Sequence, residues 1–175
     1  MRIKNEKLLP VIKWAIYYLL LLFFYTLQTT PELFQIFGVK PVLILPLVVC
    51  ISMYEGVMPS AIVAMIAGLL WDISSDKLFG FNAIILLSCS VLISLVCIYY
   101  LRTKLVNSIG FCCITALLQG LLDFVFYYAI WNYSNVSVIL LHDILPTIVY
   151  TVLLTPIFYY LIRLIGVKFN QTSRA

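Results

Sequence analysis

Charge is scarce in this chain. Of its 175 residues only 10 % are Asp, Glu, Lys or Arg, where soluble domains carry about a quarter. With 64 % of residues hydrophobic and a mean hydropathy of +1.11, a chain of this size could not hide its apolar surface from water. A soluble fold is therefore excluded, and at this size no room is expected for a separate soluble domain beside the bundle. There is one histidine, His142, so no Ser/His/Asp constellation is built around it. The five cysteines, Cys50, Cys89, Cys97, Cys112 and Cys113, fall inside apolar runs without metal-ligand spacing and read as small packing residues. No Walker loop or Gly-rich phosphate cradle occurs. No enzyme, metal or cofactor is expected. The net charge of +4 comes without a basic patch interleaved with aromatics, so no nucleic acid is expected as a partner.

What the chain has is long apolar runs, and they predict an all-α integral membrane protein, a six-transmembrane-helix bundle in one domain. The expected spans are 8–27, 41–54, 58–71, 81–101, 105–131 and 139–165. The first follows a basic tail (Arg2, Lys4, Lys7, Lys13) and reads as an uncleaved span, since no small-residue cleavage site follows it. The second and third are short, roughly 14 residues or about 21 Å each. Two short crossings are expected there rather than a hairpin that turns back. Pro46 lies inside the second run, and Pro156 predicts a kink in the sixth.

Orientation follows from the lysines and arginines. Six spans with the N-terminus inside place Arg2, Lys4, Lys7, Lys13, Arg102, Lys104, Arg163, Lys168 and Arg174 on the cytoplasmic side. Lys40 and Lys77 alone are left outside. Both termini are thus expected in the cytoplasm. Trp14 falls at the inner boundary, Trp71 and Trp131 at the outer one. Five spans would put one terminus and its basic cluster outside.

Polar groups inside such a bundle are costly, about 2.5–3.5 kcal/mol for a central charge. Gln119 and Asp123 share a helix face, and Asp123 is either bonded internally, for instance to Tyr127, or offered to a partner. Asp72 ends the third run and can bind the amides of the turn after it, as can Asn82. His142 and Asp143 open the sixth run, with Asp143 a plausible N-cap. Asp72, Asp76, Asp123, His142 and Asp143 are all expected in the outer half. The inner half is expected to hold no buried carboxylate.

The stretch from Met58 to Asn82 organises the rest. Ser60, Ala64 and Gly68 recur every fourth residue, and the next on that stripe is Asp72. Such a stripe lets backbones approach closely, either within the bundle or in a groove for another protein's helix. AGLLWD (Ala67 to Asp72), a short polar turn and LFGFNAI (Leu78 to Ile84) follow a Pro-led run from Pro41 and a turn at Glu55-Gly56, and precede a basic break at Leu101 to Lys104. Over roughly Lys40 to Trp131 this pattern resembles the rod shape-determining MreD family. It departs from it in the Trp of the third span and in a loop lacking a second Gly.

The resemblance implies a bundle similar to the substrate-binding components of vitamin-uptake transporters. It also implies a non-enzymatic component of bacterial cell-wall elongation in the plasma membrane. The implied partners are the single-helix protein MreC, the actin-like MreB, RodA, a penicillin-binding transpeptidase and the lipid bilayer. On that expectation Ser60, Ala64, Gly68, Asp72, Gly80 and Asn82 would hold MreC. The rival expectation is a vitamin-type small-molecule subunit of a transporter, with Asp72, Asp123 and His142 around the ligand. The first span, Val11 to Leu27, lacks the Ala-rich face such a subunit would turn to its transporter.

Overall fold

The structure, a computed structural model, describes residues 3–30, 39–75, 78–129 and 144–172. The regular elements among them are helices: α1 (Ile3–Thr29), α2 (Ile44–Tyr54), α3 (Val57–Ser74), α4 (Phe81–Tyr99), α5 (Leu105–Phe124) and α6 (Leu145–Thr172). The end of α5 widens into a π-helical turn, Val125–Ala129. Among the described residues five helices are long and apolar enough to cross a membrane, namely Val11–Thr29, Val57–Ser74, Phe81–Tyr99, Leu105–Tyr127 and Leu145–Gly166. The chain is built as a multi-pass membrane protein.

The shortest helix is the centre. α2 has 11 residues and spans about 16 Å, half of a bilayer's hydrocarbon core. Every residue from Ile44 to Met53 is buried. Each of the other helices packs on α2, and they pack on one another in the order α1, α3, α4, α5, α6 and back to α1. Around the ring the α3–α4 seam is the most extensive, and α6 packs as extensively on the central α2 as on α5. The ring helices are apolar outside as well as inside. Met58, Ile62, Met65 and Ile73 on α3, and Leu145, Val149, Leu153, Ile157 and Leu164 on α6, form exposed rows at helical spacing. In water such rows would be unstable; against lipid they are the expected exterior.

α2 begins three residues later than the run beginning at Pro41 implied. Val39 to Leu43 approach without helix, and two amides of this region are satisfied from a distance. The Val42 N–H donates to Thr151 Oγ1 at 3.0 Å and the Ile44 N–H to Gln28 Oε1 at 3.1 Å. Pro46 is therefore no interruption. It is the third helical residue, where an N–H would have no helical acceptor.

Lys40 Nζ reaches the Thr30 carbonyl at one end of the bundle, and Glu55 meets Lys13 at the other. Residues 40–55 thus cover the same depth as residues 13–30 of α1, about 25 Å at helical rise.

Other boundaries shift by a few residues. α1 is longer than expected at both ends, α3 continues to Ser74, and α4 stops at Tyr99. The helix of α6 runs through Pro156 without ending. Beside it Thr151 and Thr155 donate their hydroxyls back to the carbonyls of Thr147 and Thr151. His142, Asp143, Trp131, Asp76 and Lys77 lie outside the described residues.

Candidate functional site

The stripe of α3 faces α4. Ser60, Ala64 and Gly68 are buried, and the two backbones nearly touch at Gly68. A Cβ there would fall 2.6 Å from the Ala83 nitrogen and 2.9 Å from the Asn82 carbonyl carbon, so only glycine fits. This close approach sets what happens one turn later. Asp72, next on the stripe, is carried directly over the start of α4.

That helix start has no cap of its own. Its N-cap residue is Gly80, in the left-handed region at φ 94°, a conformation that favours glycine and brings no side chain. The first turn of a helix leaves amide donors without partners, and Asp72 supplies the missing acceptors from the neighbouring helix. Its Oδ2 accepts from the Gly80 N–H (2.9 Å) and the Ala83 N–H (3.3 Å). Its Oδ1 accepts from the Asn82 N–H (3.1 Å) and from Asn82 Nδ2 (2.9 Å). The carboxylate also sits at the positive end of the α4 dipole. Asn82 then accepts from Gln119 Nε2 at 3.2 Å, so Asp72, Asn82 and Gln119 form a polar line from α3 through α4 to α5.

Aromatic and backbone contacts close the same junction. Tyr127, brought round by the π-helical turn, accepts the Leu78 N–H on its hydroxyl at 2.8 Å. The Phe81 ring meets Phe126 and Tyr127 edge to face, each with centroids 5.6 Å apart. Leu78 and Phe79 point away from the protein, 67 % and 70 % exposed. Asp123 is buried on the α5 face that also carries Gly120.

Of the expected site residues, Asp72, Gly80, Asn82 and Gln119 come together, and Gly68 is what lets them. Ser60 belongs to a second polar set near the far end of the α3–α4 seam. Ser60 and Ser94 hydroxyls lie 2.7 Å apart, Ser94 donates to the Ser52 carbonyl, and Ser52 and Ser90 hydroxyls lie 2.7 Å apart. These serines join α3 and α4 to α2. The stripe is thus used within the chain, and its atoms are not open to a second helix in this arrangement.

One expectation needs qualification: the end opposite Asp72 holds a half-buried carboxylate whose side chain is largely covered. Glu55, with 9 % of its side chain exposed, pairs with Lys13 at 2.5 Å and accepts from the Tyr17 hydroxyl at 2.9 Å. The sequence hid this because Glu55 reads as a turn residue and Lys13 as part of a basic tail. The signal was the spacing of Lys13 and Tyr17, one helical turn apart and so on one face.

Chemically, the Asp72 junction is an interlock. Each of its carboxylate oxygens already takes two donors, and among the described residues no buried side-chain nitrogen or oxygen lacks a partner. No family model, curated protein or solved structure matches the chain.

Proposed function

We propose that this protein is a non-enzymatic membrane scaffold of bacterial cell-wall elongation, of the MreD type, which holds the single membrane helix of an MreC-like partner. In this reading the chain crosses the plasma membrane six times with both termini in the cytoplasm. MreB, RodA and a penicillin-binding transpeptidase belong to the same assembly. The observation that carries the reading is the Asp72 junction. Two motifs of the family resemblance, Ala67 to Asp72 and Leu78 to Ile84, pack together, and in them Gly68, Asp72, Gly80 and Asn82 each have a distinct structural task. The depth covered by residues 40–55 supports a sixth crossing. The basic bias of the sequence supports the orientation.

In this reading the docking surface is the outside of the hairpin that the stripe builds, since Ser60, Ala64 and Gly68 are themselves buried. Ile73, Leu78, Phe79 and Ile84 surround the junction and are exposed. They offer an apolar ridge to a membrane helix, held rigid from beneath. A vitamin-type binding subunit would instead need Asp72 turned towards a ligand, and its oxygens are occupied by the start of α4.

Two measurements test this. A photocrosslinker at Ile73 or Phe79 in the native host is expected to trap a single-span protein, and depletion of the protein is expected to round rod-shaped cells. Normal shape on depletion, or crosslinks to lipid alone, overturns the proposal. Loss of vitamin uptake with normal shape would transfer the case to the rival.

A further inference from the structure

The α4–α5 connection is a built loop rather than a slack one. After α4 ends, the Tyr100 and Leu101 amides both return to the Val96 carbonyl at 2.9 Å. The Arg102 carbonyl accepts from the Lys104 N–H at 2.9 Å and from Asn107 Nδ2 at 2.8 Å. Its middle is fixed to another helix, because the buried Tyr159 of α6 donates its hydroxyl to the Thr103 carbonyl at 3.2 Å. Arg163 follows Tyr159 by one helical turn on the same side of α6.

The Tyr159 bond therefore gathers Arg102, Lys104 and Arg163 at one end of the bundle. All three are exposed, and among the described residues no carboxylate forms an ion pair with any of them. Exposed rings flank them: Tyr99, Tyr100 and Tyr160 are 74 %, 86 % and 55 % exposed. The patch sits where apolar helix faces give way to a polar loop, which is headgroup depth. Guanidinium forks and an ammonium suit phosphate oxygens, and tyrosines favour the same boundary.

We propose that this end of the protein is a binding site for an anionic phospholipid headgroup, its phosphate held by Arg102, Lys104 and Arg163 and its acyl chains lying along the exposed faces of α4 and α6. A charge that only set topology would need no fixed loop. Here the loop is tied to α6 by one buried hydroxyl, so the geometry as well as the charge is specified. This site is independent of the scaffold reading.

The test uses the full chain reconstituted in mixed bilayers with spin-labelled phosphatidylglycerol or spin-labelled phosphatidylcholine. The lipid fraction immobilised by the protein is expected to favour phosphatidylglycerol, with the preference falling about fivefold for each cation replaced in Arg102→Gln, Lys104→Gln and Arg163→Gln. Tyr159→Phe keeps every charge and removes the tie. It is expected to lower the preference severalfold while helix content and thermal stability stay near wild type. Equal immobilisation of both lipids by the wild-type protein, or an undiminished preference in the triple variant, overturns the proposal. So does loss of the preference on adding excess inorganic phosphate, which would make free phosphate the ligand. An unchanged preference in folded Tyr159→Phe overturns the part assigned to geometry.

Discussion

Asp72 satisfies three backbone amides and one side-chain amide of a helix it does not belong to. Asp72→Ala strands these donors where water is scarce and should cost about 2–3 kcal/mol in an unfolding titration, since each unpaired buried group carries its own desolvation penalty. Asp72→Asn turns an NH₂ towards other donors and should rescue little. Asn82→Ala should cost less, and the double variant should show coupling on the order of 1 kcal/mol in a double-mutant cycle. Two glycines give a matched control. Gly68→Ala drives a methyl into the Ala83 backbone and should destabilise by about 1–3 kcal/mol. Gly110→Ala meets nothing within 4 Å and should leave the unfolding midpoint unchanged or slightly raised. Asp72 as a binder of turn amides, with Asn82 beside it, could be read from the sequence because donors and acceptor are close along the chain. The bridge from Asn82 to Gln119 could not, since it depends on how α5 lies against α4.

At the scale of elements, the hairpin of α3 and α4 was visible as a small-residue stripe, a polar turn and a glycine. The start of α2 was not. Pro41 invites a helix start, but the helix begins at Ile44, where Gln28 and Thr151 of other helices take the Ile44 and Val42 amides. Glu55 and Lys13 teach the same lesson. Each has an ordinary local reading, and only the packing of α1 on the α2–α3 turn makes them an ion pair with largely covered side chains. Removing one member leaves a stranded charge. Lys13→Met or Glu55→Gln alone should cost about 3 kcal/mol, and the double variant should recover much of it, as measured by thermal unfolding in a fixed detergent.

For the whole molecule, hydropathy identified the membrane but not the centre. α2 is apolar on all sides, and so are its neighbours; nothing in composition separates a helix wrapped by protein from one wrapped by lipid. Chain crossings can be counted directly. In a variant without native cysteines, Phe79→Cys and Thr103→Cys, both at exposed positions, should react with a membrane-impermeant thiol reagent from opposite sides. If α2 does not cross, Phe79→Cys changes to the cytoplasmic side under the same N-terminal orientation. Biogenesis is bound by this arrangement too. The ribosome makes α2 second, yet α3 to α6, which supply most of its cover, emerge afterwards. A segment too short to be held by lipid must then be sheltered by the insertion machinery until its ring is made. Cys50, fully buried in the finished protein, should be open to a thiol reagent in nascent chains stalled after α3 and closed once α6 has emerged.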